Sequence, residues 1–293
     1  MKKILLPLSA LALLGGVPTA WADGLVSADA ELSFNRASGD GDDLDATFLG
    51  ADAFYETGAW DIFGGVSFLW LDDDSDDFRA DFASLAFAYG FNQVNLGAEV
   101  AYFGSDDSDD DLTFYSIFGE YVADAFVGGL AYTDSDDDDF GDEVYTIFAT
   151  YDVTSTDIIG AAYYSADESD VFTAFADFER ELFEIAGDLL TDDDITLLSV
   201  GGSYDVGGGF GVLAGLSYGD FDGDDVTSFS IGGEYEILPL TDIFLTVGRV
   251  EADGDDADVF SVGINYDLGK RRSGYQSVSG AAEGQLGTLF GFF

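Results

Sequence analysis

One octet recurs along this chain with Ser or Thr first and Tyr sixth: Ser84 to Phe91, Ser116 to Ala123, Thr146 to Val153, Ser199 to Val206, Ser230 to Ile237 and Ser261 to Leu268. Around the last copy Phe260, Val262, Ile264, Tyr266 and Leu268 share one parity, and Val259, Ser261, Gly263, Asn265 and Asp267 the other. That is a strand with one apolar face and one mostly small or polar face. The octet tyrosines, with Tyr55 before them and Phe178 filling the gap after Tyr151, recur every 26 to 34 residues. Two strands of about ten residues, a tight turn and a loop fill that spacing, so the repeating unit is a β-hairpin.

Laid end to end, the hairpins predict sixteen strands, over 25–36, 44–55, 59–71, 78–91, 94–103, 112–122, 125–133, 143–152, 157–165, 170–178, 182–190, 195–205, 210–219, 226–236, 241–250 and 258–268. Acidic loops follow the odd strands, at 38–43, 72–77, 104–111, 134–142, 166–170, 191–194, 219–225 and 251–257. Short turns of other chemistry follow the even ones, such as Asn92-Gln93, Gly207-Gly208-Gly209 and Leu238-Pro239-Leu240. Strict alternation of two kinds of connection implies two different rims.

On the faces predicted to point outward, apolar residues and glycines dominate: Trp60, Ile62, Gly64, Val66 and Phe68; Val94, Leu96 and Val100; Phe126, Gly128 and Leu130; Ile158, Gly160 and Ala162; Phe210, Val212 and Leu216. The repeat tyrosines form an aromatic girdle at the short-turn rim, and Trp70, Tyr102, Tyr132, Tyr164 and Tyr218 a second one at the loop rim. An outer band with almost no charge, and charge clusters gathered at the loop rim, favour a membrane barrel over a secreted sandwich or solenoid. In hydrocarbon an open sheet edge leaves backbone groups unpaired at several kcal/mol each, so such a sheet must close. The expected fold is all-β: a 16-stranded antiparallel up-and-down transmembrane barrel over residues 23–268, with eighteen strands as the alternative.

Residues 1–22 read as a signal peptide, with Lys2 and Lys3, an apolar run interrupted by Pro7 and Gly15-Gly16, and Ala20-Trp21-Ala22. A net charge of −50 rules against nucleic acid as a partner. Disorder is excluded because 47% of residues are apolar and 15% aromatic, so acid and apolar segments must be segregated. With no histidine, Ser-His and Asp-His hydrolytic mechanisms are closed to this chain, and no enzyme is expected. No cofactor is expected either. Asp220 to Asp225 has calcium-loop flavour, but its glycine stands fourth rather than sixth and no glutamate is twelfth. The Asp runs read as a solvated, repelling rim, with diffuse Ca²⁺ or Mg²⁺ shared with lipopolysaccharide as the alternative.

Inward parity brings Asp29, Glu31, Asp52, Glu99, Glu120 and Glu234 to the lumen as candidate pore-lining carboxylates. Three residues before each girdle aromatic stand Asp52, Ala86, Phe118, Phe148, Phe175, Gly201, Gly232 and Gly263. Phe118, Phe148 and Phe175 are expected to lean across the pore toward the glycine wall, unless a one-residue slip turns them to lipid. The tail, residues 269–293, has three readings: an extra strand pair, a segment folded into the lumen, or a displaced C-terminal phenylalanine read by the barrel-assembly machinery, the last preferred.

The signal peptide, the sixteen strands, the alternation of short turns with acidic loops and the Ser-x-Gly-x-x-Tyr-x-Leu ending together resemble Gram-negative outer-membrane general diffusion porins, particularly the acidic alphaproteobacterial kind. The resemblance implies an outer-membrane location, small hydrophilic solutes, lipid and lipopolysaccharide contacts, assembly by the barrel machinery and a homotrimer. That family narrows its pore with a long inward third loop facing basic residues, and the 104–111 loop is too short for that. The expected function is a passive, cation-favouring diffusion channel; the alternative is a non-conducting structural or adhesive barrel displaying its acidic loops.

Overall fold

The computed structural model describes residues 25–39, 43–73, 77–105, 111–136, 143–166, 170–221, 224–252, 255–268 and 274–275. The signal-peptide reading and most of the tail lie outside the described residues. The strands are β1 (Leu25–Ser38), β2 (Asp43–Thr57), β3 (Trp60–Asp73), β4 (Asp77–Phe91), β5 (Val94–Ser105), β6 (Leu112–Ala123), β7 (Phe126–Ser135), β8 (Val144–Asp152), β9 (Ile158–Ser165), β10 (Asp170–Glu179), β11 (Phe183–Thr191), β12 (Ile195–Gly207), β13 (Phe210–Phe221), β14 (Asp224–Leu238), β15 (Thr241–Ala252) and β16 (Asp255–Leu268). Each pairs antiparallel with its chain neighbours, and β1 pairs with β16 from Ala28↔Leu268 to Ser38↔Asp258, which closes the barrel. No sheet edge is left among these strands, as a hydrocarbon surround demands.

The ladders run further into the acidic segments than the sequence predicts. β3 reaches Asp73, β4 starts at Asp77, and Asp220 pairs with Asp225 and Phe221 with Asp224. Backbone pairing needs no lipid, so hairpins of aspartates continue the ladder into water. Asp220 and Phe221 are accordingly strand residues paired with Asp225 and Asp224. Between β11 and β12, Asp192 Oδ1 accepts the N–H groups of Asp194 at 2.8 Å and Ile195 at 2.6 Å, aspartate acting as a turn former.

At the other rim the turns are tight. Asn92 and Asp124 take left-handed φ values of 59° and 50°, a region that short polar side chains tolerate. Each turn is stitched to the end of the next even strand: Gly90 N–H donates to the Ala59 carbonyl, Val122 to Gln93, Asp152 to Ala125 and Asp267 to Leu240.

Among the described residues the outer surface between the girdles is mainly apolar, and the outward ion pairs Arg36–Asp45, Arg79–Asp81 and Arg249–Asp258 stand toward the loop rim. Ile117, Leu130, Ile147 and Ile231 point outward, each more than half exposed at 56–63%. Tyr121, Tyr151, Tyr204 and Tyr235 stand outward at the short-turn rim, and Trp60 meets Tyr89 edge-on at 4.8 Å. At the loop rim the girdle hydroxyls reach the loop acids, Tyr145 donating to Glu143 at 2.7 Å and Tyr218 to Asp225 at 2.6 Å.

One strand faces the other way from its prediction. On β9, Ile158 and Ala162 are buried in the interior, whereas Ile159 and Tyr163 are exposed outside. Tyr164 therefore leaves the predicted outer girdle and packs against the interior cluster. The sequence Ile-Ile-Gly-Ala-Ala-Tyr-Tyr-Ser explains the miss: doubled residues make both parities read as Ile, small residue, Tyr. What fixes the register is the preceding connection, where Asp157 is only 1% exposed. Its carboxylate is ion-paired with Arg180 of the β10–β11 turn and accepts the Glu179 N–H at 3.1 Å.

Candidate functional site

Inward parity fills the lumen with two unlike walls. The Ser or Thr opening each octet faces inward, and Ser84, Ser116, Thr146, Ser199 and Ser261 are all buried. Cross-strand hydroxyl pairs tie this layer together, Ser116 to Thr133 at 2.8 Å and Ser217 to Ser228 at 2.6 Å.

From β4 to β10 the wall is mainly apolar, with Glu99 and Glu120 set into it. Phe118, Phe148 and Phe175 face the lumen, 6%, 3% and 5% exposed, so the slip that would turn them to lipid does not occur. They do not lean across the pore. The far end of each ring covers the inward glycine of the preceding strand: Phe118 over Gly97, Phe148 over Gly129 and Phe175 over Gly160. A Cβ added at those glycines would stand 2.1, 2.5 and 2.3 Å from the ring, so glycine makes each berth. An apolar ring gains more by covering bare backbone beside it than by crossing water. The supposed glycine wall is bare at Gly201 but not at Gly263, which Phe244 of β15 covers.

Against this wall stands a residue from beyond the last strand. Tyr275 is 8% exposed, its ring stacked on Phe118 at 4.4 Å and 14° and tilted against Phe148 at 5.6 Å. Its N–H donates to Glu120 Oε2 at 3.1 Å, and Asn95 Nδ2 holds the other carboxylate oxygen at 2.9 Å. The hydroxyl bonds with Glu99, which is itself 7% exposed, and with Ser116. Gly274 precedes it at φ +127°, a backbone conformation that favours glycine, beside the Glu120 carboxylate. Thus Glu99 and Glu120 face inward as expected, but they grip the chain's own tyrosine. This is the lumen-folded reading of the tail at residues 274–275; Phe293 lies outside the described residues. Below Tyr275 a cavity of about 580 Å³ opens among Phe54, Glu56, Asp61, Glu120 and Asp152.

The remaining wall, β11 through β16 to β2, is acidic. Asp29 sits between Asp52 and Asp267 across its two ladders, and Glu31 shares its face. Glu234 lies over Gly211, and Glu236 pairs with Asp242. Glu184 feels the charges of Asp177, Glu179, Asp267 and Glu234.

The sequence reading gathered the charge clusters at the loop rim; the short-turn mouth is acidic too. Glu56, Asp152, Asp205, Glu236 and Asp267 each follow a girdle tyrosine directly, and residues adjacent to an outward tyrosine face inward. The signal was the Tyr-acid dipeptide in the sixth and seventh positions of the repeat. Single acids there are inconspicuous beside the long Asp runs.

The model of the Gram-negative porin family matches residues 71–224 and 190–279. No curated protein sequence matches. Among solved structures, a mutant of the Rh. blastica porin superposes with a TM-score of 0.50 at 16% identity, covering 82% of this chain and 99% of that one. A second mutant of the same porin gives 0.49 at 17% identity over the same shares.

Proposed function

That the chain belongs to the Gram-negative porin family, and so is an outer-membrane β-barrel porin, is the premise from which we propose a passive diffusion channel for small hydrophilic solutes that favours cations. The observation carrying the preference is the acidic lumen wall, Asp29, Glu31, Asp52 and Glu234, continued into a mouth of Tyr-linked carboxylates. Rings and rows of carboxylates raise local cation concentration and repel anions. Glu99 and Glu120 complete the proposed lining. Phe118, Phe148 and Phe175 shape it from the opposite wall. No catalytic step is assigned, since the chain offers no histidine base. Diffuse divalent cations at the outer loops are proposed from the Asp runs, and contact with lipopolysaccharide, assembly by the barrel machinery and a homotrimer on the resemblance.

A single-channel recording across a salt gradient tests this reading. The expected reversal potential has the sign of cation preference; a zero or anion-favouring value overturns it. One observation supports the rival, a non-conducting structural or adhesive barrel: the wall from β4 to β10 is buried and partly covered by Tyr275. Absence of current from folded wild-type protein, together with calcium-dependent surface binding, would favour that rival.

A further inference from the structure

We propose that Tyr275 is the constriction residue of this channel: an aromatic side chain that lies in the lumen and narrows the pore on its apolar side, leaving the acidic side for cations. The inference rests on the channel reading above. Three observations carry it. Tyr275 is buried against Phe118 and Phe148 although it belongs to no strand. Both its polar ends are held by carboxylates of the wall, the N–H by Glu120 and the hydroxyl by Glu99. Gly274, directly before it and beside Glu120, takes the left-handed φ of +127° that favours glycine.

An exposed tail would have no reason to place a tyrosine at such a site. Stacking a ring at 4.4 Å on a ring that is itself seated on glycine fixes its position on the wall. The two carboxylates then fix its depth. Because Glu99 and Glu120 are engaged with Tyr275, the charges that steer permeating ions are those opposite it, from β14 through β16 to β2. Tyr275 thus acts on size selection, and the acidic wall on charge selection.

The experiment compares the full-length wild type with Tyr275→Ala and Tyr275→Cys in planar bilayers, with folding checked by heat-modifiable gel mobility. Tyr275→Ala is expected to raise single-channel conductance on the order of twofold, and to speed entry of larger neutral sugars into liposomes with little change in reversal potential. The native chain has no cysteine, so Tyr275→Cys carries a unique thiol. A methanethiosulfonate reagent bearing an ammonium group is expected to lower the current of that variant and leave the wild type unaffected. Unchanged conductance in folded Tyr275→Ala, or no response of Tyr275→Cys to the reagent, overturns the inference while leaving the channel reading intact. Current from Tyr275→Ala but none from the wild type upholds the position of Tyr275 and overturns the reading of the native chain as an open channel. No current from either overturns both.

Discussion

The two walls of this lumen are built from the same repeat yet behave as different materials. On β6, β8 and β10 the position three residues before the girdle aromatic holds Phe118, Phe148 and Phe175, each seated on a neighbour's glycine. On β12 and β14 the same position holds Gly201 and Gly232, and the nearby inward positions carry carboxylates such as Glu184 and Glu234. One wall is packed like a protein core; the other is held in water by its charge. The outward positions scarcely change around the barrel, because lipid presents the same demand on every side. Hence the lumen face is where this sequence records function, and the lipid face records only residence.

The largest expected effect is on the packed wall. Phe148→Ala uncovers Gly129 and removes a ring from the Tyr275 berth, and is expected to cost about 3–5 kcal/mol in urea refolding into detergent or lipid. An unchanged midpoint would mean that the ring lies free in water. Next comes Gly129→Ala, whose Cβ would stand 2.5 Å from Phe148 and from the Gly119 carbonyl oxygen. Overpacking of that kind costs about 1–3 kcal/mol. Its counterpart on the other wall, Gly201→Ala, meets nothing nearer than 3.8 Å and is expected to leave the midpoint where it is. Equal effects at the two glycines would erase the distinction between the walls.

Charge is the third lever. Asp29→Asn, Glu31→Gln, Asp52→Asn and Glu234→Gln together are expected to move the reversal potential toward zero severalfold more than Glu99→Gln with Glu120→Gln, which instead loosens Tyr275 and raises conductance. The reverse order would shift the cation path to the aromatic side. The smallest effect concerns the joint between the walls. Hydrogen bonding to Arg180 is the main cause that holds the Asp157 carboxyl down, from its ordinary 3.8 to about 2. A carboxyl depressed in the folded state contributes stability that is complete above about pH 4 and is lost as pH falls toward 2. Wild type should therefore lose barrel stability over that window by a margin that Arg180→Ala lacks, read as the difference between their acid-unfolding curves.

Most of the architecture was legible because the octet encodes parity, girdle and strand end at once, and because Asp runs and glycine turns mark opposite rims. What escaped had specific causes. β9 was ambiguous because Ile158-Ile159 and Tyr163-Tyr164 satisfy either parity, and the deciding Asp157–Arg180 contact joins two separate turns. Parity turns the phenylalanines inward, but their lean depends on Gly97, Gly129 and Gly160, which lie on adjacent strands and not in any local pattern. The lumen-facing acids of the short-turn mouth were hidden by louder acidic loops. Tyr275 sits beyond the repeat, and nothing in strand periodicity speaks of a residue outside a strand.

The pairing of β1 with β16 joins residues from the two ends of the sheet, Ala28 with Leu268 and Ser38 with Asp258. In this barrel the β1–β16 ladder satisfies the last two edges, so a nascent molecule halted before its final strand carries two sticky margins into a medium with no water to quench them. Such a latch favours all-or-nothing insertion, with the slow step set by bringing the two ends of the sheet together. A chain ending before Asp255 should therefore be cleared or aggregate rather than persist as a leakier pore.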